Sequence, residues 1–435
     1  MENWLKNGVF NTFIYTIPHF FIFFNIIFDL SQKICYNIKS LFNNSFDRGH
    51  LGRQEVKIMF NIAILGFGTV GQGTYEVLTQ NASIIEKRVG DRINIKYILD
   101  LRDFPDHPYG DRVVHDYSVI LNDPEIDLVA EMMGGSHPAY DFSKAALMEG
   151  KHVVTSNKEV VANFGVELLQ IARENGVCYL FEASVGGGIP IIRPMINDLA
   201  QNRIISVSGI LNGTTNYILT QMSEFGADFS ETLKDAQAKG YAEANPAADI
   251  EGTDAARKIA ILASLAYGKM IPVSMVHTEG ITKITTADIE AAKSLGCAIK
   301  LIGHTCEIDG RIFIAVTPRL VSERDPLHGV CGVFNGISVD TDMLGRAMFY
   351  GRGAGKLPTA SAVVADIIDA AMNGESATAP CSITSADAEC VYPFEEYVCE
   401  VVYRFTDGSL KKVTEREADA FTGEGVGAVS RLRML

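Results

Sequence analysis

The sequence predicts an α/β protein: a doubly wound parallel sheet, interrupted by an inserted α+β domain. Three observations predict it. Apolar strands alternate with helices from Phe60 to Phe181, the pattern of a parallel sheet covered on both faces. A glycine cluster, Gly66-Phe67-Gly68-Thr69-Val70-Gly71, follows the first strand and opens a helix. After Pro190 the alternation stops, and a late amphipathic helix over residues 359–373 is apolar enough to return and cover a sheet face.

The elements follow in order. Residues 60–65 form an apolar strand, 69–80 a helix and 93–99 a second strand. Strands at 126–132, 152–155 and 177–181 come next, with helices at 139–148 and 165–174. Past Pro190, residues 204–211 read as a strand, followed by helices at 214–225, 230–239 and 252–267 and a strand-like run at 311–317. Residues 376–435 are polar and strand-prone, with a hairpin signal at Asp407-Gly408. The expected organisation is an N-terminal extension (1–58), a dinucleotide-binding domain (59–190 with 353–375), an inserted domain (191–352) and a short C-terminal segment (376–435).

The chain has 435 residues, 47% hydrophobic and 21% charged, an ordinary globular balance. A formal charge of −15 excludes the basic footprint that nucleic acid demands. Eight cysteines are scattered without a C-x-x-C pair or zinc-ligand spacing. That usage suits a reducing cytosol, so a cytoplasmic protein is expected. The run from Val9 to Leu30 is apolar and uncharged until Asp29. It reads either as a signal anchor, which would bring membrane association, or as an extension belonging to no fold. The second reading is favoured, and Met59 stands where an alternative start would fall.

In a strand–turn–helix context the glycines have separate tasks. Gly66 permits the turn, Gly68 lets the backbone approach a pyrophosphate, and Gly71 lets helix and strand pack closely. The second strand ends at Asp100-Leu101-Arg102. An acid there binds a ribose 2′-hydroxyl, as in NAD; an arginine accepts the 2′-phosphate of NADP. Both are present, so the cofactor stays open between NADP and NAD. The second glycine-rich stretch, residues 351–356, fails as a P-loop: Gly351 and Gly355 are one position too close, and Leu357 follows Lys356.

Residues 240–258 are dense in charge beside the apolar run 259–263. Asp254 and Lys258 stand four apart and share a helix face. Glu243 and Asp249 precede them and can converge on that face. Carboxylates suit the ammonium of an amino acid, and a lysine suits a proton on a reacting oxygen. Spacing alone fits an exposed ion pair as well.

The run from Gly240 to Lys258 resembles the homoserine dehydrogenase signature, G-Y-x-E-x-x-P-x-x-D-I-x-G-x-D-x-x-x-K. Leu211-Asn212-Gly213-Thr214-Thr215-Asn216-Tyr217 is similar to that family's second hallmark. Gly66–Gly71, Ser156-Asn157-Lys158, Glu182–Pro190 and Gly353–Pro358 fit in the family's order. The resemblance implies a Rossmann-type nucleotide domain and an inserted catalytic and dimerisation domain. It implies NAD(P)-dependent interconversion of L-homoserine and L-aspartate 4-semialdehyde, in the branch leading to threonine, methionine and isoleucine, by a homodimer. It makes Lys258 the proton carrier with Asp254 beside it. Glu243 and Asp249 would hold substrate, and Lys158 would lie near nicotinamide and substrate. The cofactor would meet Gly66, Phe67, Gly68, Thr69, Val70, Gly71, Arg102 and Gly353. Glu182, Val185, Gly187 and Ile189 match the family's structural monovalent cation (Na+) site.

Two competitors are weaker. An aldehyde-oxidising enzyme needs a nucleophilic cysteine, and none adjoins the 240–258 cluster. A non-catalytic nucleotide sensor has no use for intact Lys258, Asp254, Glu243 and Lys158. The chain departs from the family at Asn245, where an aspartate is usual. Residues 376–435 are also short for the amino-acid-sensing ACT module that many members carry, and they lack its D-R-P-G-type turn.

Overall fold

The computed structural model describes residues 59–377, 383–414 and 428–435. The N-terminal extension, and with it the choice between anchor and unfolded segment, lies outside the described residues. Among the described residues no helix is long and apolar enough to cross a membrane.

The first half runs β1 (Met59–Leu65), α1 (Thr69–Gln80), α2 (Ala82–Val89), β2 (Arg92–Leu99), β3 (Val113–Val114), α3 (Ser118–Leu121), β4 (Leu128–Glu131), α4 (Ala139–Met148), β5 (His152–Thr155), α5 (Lys158–Glu174) and β6 (Tyr179–Leu180). The strands form a six-stranded sheet in the order β3-β2-β1-β4-β5-β6, every pair parallel. Ile62, Ile64, Leu65, Leu128, Val129 and Val154 are fully buried, because helices cover both faces and leave no polar side to alternate with. The strand order reverses between β1 and β4. Their carboxyl ends therefore flank a crevice, where such sheets bind ligands.

The helix expected at 165–174 begins earlier, at Lys158. The Asn157 side chain accepts hydrogen bonds from Glu159 N and Val160 N and so caps the helix. Gly165 is interior to that helix; a Cβ there would lie 3.1 Å from the Met270 methyl.

The second half runs β7 (Ile204–Ile210), α6 (Gly213–Phe225), α7 (Phe229–Ala238), α8 (Ala247–Ile250), α9 (Thr253–Tyr267), β8 (Lys269–Met270), β9 (His277–Thr278), α10 (Thr286–Ser294), β10 (Cys297–Ile308), β11 (Arg311–Ser322), β12 (Phe334–Thr341) and β13 (Arg346–Arg352). Then α11 (Lys356–Asn373) returns to lie along α1, and Lys356 pairs with Glu76 at 2.7 Å. Helices α6, α9 and α10 pack on the second sheet. Strands β10 and β11 form a long hairpin turned by Asp309-Gly310, both at positive φ, the two-residue turn that matches strand twist.

The C-terminal segment adds β14 (Thr384–Ser385), β15 (Glu400–Phe405), β16 (Leu410–Thr414) and β17 (Ala428–Met434). The expected hairpin at Asp407-Gly408 joins β15 to β16. The segment does not stand apart, however. β17 pairs with β11, giving a nine-stranded sheet in the order β13-β12-β7-β10-β11-β17-β15-β16, with β9 also on β11.

Candidate active site

Gly66, at φ +86°, turns the chain out of β1 and donates its N–H to the Leu99 carbonyl at 2.8 Å. A Cβ on Gly71 would lie 2.1 Å from the Gly66 oxygen, so only glycine lets α1 pack against its own entry turn. A Cβ on Gly68 would meet nothing within 4 Å, and no side chain caps α1. An open helix start whose first N–H groups find no partner among the described residues, with Thr69 exposed and Val70 half-buried beside it, suits a pyrophosphate. Phe67 can serve a cofactor only through its backbone. Its ring is buried against Phe104 and His107, with centroids 5.1 and 5.0 Å away.

Asp100 and Arg102 pair with each other and differ in exposure. The Asp100 carboxylate accepts from Phe67 N at 2.8 Å and from Arg102 N, Nε and Nη2 at 3.0, 2.9 and 3.0 Å. Chiefly the Arg102 guanidinium lowers this carboxyl to about 2. Asp100 is thus committed to the turn, whereas the Arg102 side chain is 61% exposed.

The ends of β4 and β5 carry the next groups. Lys158, the first residue of α5, extends its amine to Asp254 Oδ1 at 3.1 Å. Asp254 and Lys258 lie on the inward face of α9, 6% and 8% exposed. Lys258 Nζ donates to Asp254 Oδ2 at 2.7 Å and to the Leu211 carbonyl at 2.8 Å. One carboxylate therefore bridges a lysine from each half of the protein. Burial alone would raise the Asp254 carboxyl, but the ammoniums of Lys258 and Lys158 outweigh it and hold Asp254 well below the usual carboxylate range.

Asn212 organises this cluster. Its amide donates to Asp254 Oδ2 at 2.9 Å and to Asp249 Oδ1 at 2.7 Å, while its oxygen caps α6 by accepting from Thr215 N. Burial, with the nearby Asp254 charge adding to it, raises the Asp249 carboxyl. Glu243 is not brought into the cluster. It sits exposed between α7 and α8, and its carboxylate makes no ion pair or hydrogen bond among the described residues. Sequence reasoning assigned Asn212 no role. The signal was available: an asparagine ending a strand and starting a helix is a cap candidate.

The cation motif folds differently from the simplest expectation. The Glu182 carboxylate accepts from Ile191, Ile192 and Arg193 N–H groups at 2.6, 2.8 and 2.8 Å. It pins the following turn and is not a free ligand. Val185, Gly187 and Ile189 are buried, and their carbonyl oxygens accept no hydrogen bond among the described residues. Orphaned buried carbonyls are the donor set a hard monovalent cation takes. Gly353 serves by packing: a Cβ on Gly187 would lie 2.4 Å from its carbonyl, and its own Cβ would lie 1.9 Å from Asn335 Nδ2.

The chain is similar to known proteins over most of its length. Residues 66–182 fit the family model for the NAD-binding domain of homoserine dehydrogenase, and residues 190–368 fit that for homoserine dehydrogenase itself. A homoserine dehydrogenase of Neisseria gonorrhoeae is 44% identical over 326 residues, 73% of this chain and 74% of that protein. The crystal structure of a homoserine dehydrogenase from Thiobacillus denitrificans superposes with a TM-score of 0.79 at 34% identity, covering 87% of this chain and 98% of that one. A hyperthermophilic archaeal homoserine dehydrogenase mutant, solved in complex with NADPH, superposes at 0.62 with 31% identity, covering 72% and 97%. With a dinucleotide crevice, a lysine–aspartate–lysine bridge beside it and relatives at this identity and coverage, the chain belongs to the homoserine dehydrogenase family.

Proposed function

We propose that the chain interconverts L-homoserine and L-aspartate 4-semialdehyde with Lys258 as the proton carrier. The observation that supports this most is the bridge from Lys158 through Asp254 to Lys258, beside the crevice of the parallel sheet. A bound nicotinamide dinucleotide supplies or accepts the hydride. In the reducing direction Lys258 gives a proton to the substrate oxygen; in the oxidising direction it takes the hydroxyl proton. Asp254 holds both amines in place. Asp249, tied to the cluster through Asn212, receives the substrate ammonium, and Lys158 faces substrate and nicotinamide.

Arg102 favours NADP: its guanidinium pairs with Asp100, but its side chain is 61% exposed, whereas Asp100 is largely covered and gives both oxygens to the turn. The orphaned carbonyls of Val185, Gly187 and Ile189 support a structural Na+ there, with Glu182 holding the turn that carries them. A homodimer formed through the second half, a cytoplasmic location and a place in threonine, methionine and isoleucine biosynthesis complete the reading. Initial rates with homoserine and either NADP or NAD, followed by reduced-nicotinamide absorbance, test it. No homoserine-dependent reduction with either cofactor would overturn it.

A further inference from the structure

Glu131 is the last residue of β4 and is fully buried. Nothing apolar explains a carboxylate there. Its two oxygens hold donors from two different strand ends. Oε1 accepts from Met133 N at 2.7 Å, and Oε2 accepts from the Thr155 hydroxyl at 2.6 Å. The Thr155 oxygen in turn accepts from Asn157 N at 2.9 Å. The Asn157 amide reaches back to the Gly135 carbonyl at 2.8 Å and the Met133 carbonyl at 3.4 Å. The ring is closed: strand end 131, loop 133–135, and strand end 155–157 are tied to one another. The crevice lies beside the first loop. Lys158 follows the last residue of the ring, and Asn157 caps the helix that Lys158 opens.

We propose that Glu131 is a positioning residue: its carboxylate fixes the loop after β4 and the Lys158 backbone at one separation, and so sets the amine at 158 against the substrate and nicotinamide. This rests on the reading of Lys158 given above. The carboxylate is needed because an ionised acid offers acceptors in two directions and donates to neither partner. Glutamine offers one acceptor oxygen; its amide N–H can meet Thr155 only as a donor, which reverses that hydrogen bond and leaves the Thr155 proton without this acceptor.

Burial also pushes the Glu131 carboxyl up to about 7, against the Thr155, Met133 and Asn157 hydrogen bonds that favour its ionised form. Tyr179, on β6, faces this position; burial, with the Glu131 charge adding to it, holds its phenol well above the ordinary value and so neutral. The hold on the two strand ends therefore weakens on the acid side of neutrality.

The test compares Glu131→Gln, Thr155→Val and Lys158→Ala in the full chain, each checked for folding by its thermal transition. Glu131→Gln and Thr155→Val should each lower kcat by about tenfold to a hundredfold, the usual range when a group orienting a functional residue is lost. Dissociation constants for cofactor should stay within about threefold of the parent. The kcat–pH profile of Glu131→Gln should lack a limb near pH 7 that the parent shows. A merely structural role would change stability and leave that limb in place. If Glu131→Gln does not fold, Thr155→Val decides by its kcat. Parent-like kcat in both variants, or a loss confined to KM, overturns the positioning role while an impaired Lys158→Ala leaves the site reading intact. Parent-like turnover in Lys158→Ala overturns that reading itself.

Discussion

Replacing Lys258 by methionine removes the ammonium and keeps most of the buried stem. Two of its three donors are committed, to the Leu211 carbonyl at 2.8 Å and to Asp254 at 2.7 Å. One hydrogen remains for a substrate oxygen. Loss of a positioned general acid costs about 10²–10⁴ in rate, or about 3–5 kcal/mol of transition-state stabilisation. Stability should fall much less. Asp254 keeps Lys158 at 3.1 Å and Asn212 at 2.9 Å, so the variant strands no charge. The expected cost is that of one hydrogen bond, about 1 kcal/mol, and not the ~3–5 kcal/mol of an orphaned buried ion. Initial rates at saturating homoserine give kcat, fluorescence quenching gives cofactor affinity, and urea titration gives stability. Turnover within about tenfold of the parent would refute the proton-carrier assignment. A stability loss near that of an orphaned ion would refute the claim that Asp254 is doubly anchored.

Asp254→Asn leaves two ammoniums without their shared counter-ion, so urea titration should show a larger stability loss than for Lys258→Met. It should lie toward the lower end of ~3–5 kcal/mol, because the Lys158 side chain is 38% exposed and solvent screens it. Arg102→Ala should lower kcat/KM for NADP by about tenfold or more, the worth of one charge-assisted contact, and leave NAD nearly unchanged; equal losses with both cofactors would remove Arg102 from cofactor choice. Acid stability has a defined sign. Asp100 and Glu279 sit at about 2 in the folded chain, below the ordinary 3.8 and 4.5. Folded-state depression gives stability that is present above those ordinary values and is lost as pH falls toward 2. Asp100→Asn and Glu279→Gln should each flatten that limb in urea titrations run across the range. Asp366, raised to about 7 by burial, has the opposite sign. Its contribution declines as pH rises from about 4 to about 7, and Asp366→Asn should remove that decline.

Much of the fold was legible because periodicity is local. The helices at Thr69–Gln80 and Ala139–Met148 and the strand at His152–Thr155 fall where the sequence pattern puts them. The misses have specific causes. Helix α5 starts at Lys158 because an asparagine caps it, and Gly165 looked like a helix start when it marks a close contact with Met270. The β10–β11 hairpin carried the same Asp-Gly signal that located the later one, at Asp309-Gly310. The docking of β17 on β11 was not legible at all. It depends on pairing between distant segments, and a strand pattern records only that some partner exists.

The site divides in the same way. Lys258 and Asp254 are one turn apart on a helix, so their pairing follows from sequence spacing. The contact with Lys158 does not, since it crosses between the two halves of the protein. Its consequence is physical as well as geometric. Because Asp254 gives one oxygen to each lysine, part of what lowers its proton affinity comes across the two halves, from Lys158, beside the larger contribution of Lys258 on its own helix. A shift of α5 away from α9 would remove one of the two charges that oppose burial. The carboxyl would rise, and its grip on Lys258 would weaken in the same step. Alignment of the halves and readiness of the proton carrier are thus coupled through Asp254. That is why the buried groups fixing the start of α5, Glu131 and Asn157, matter to chemistry at a lysine they never touch.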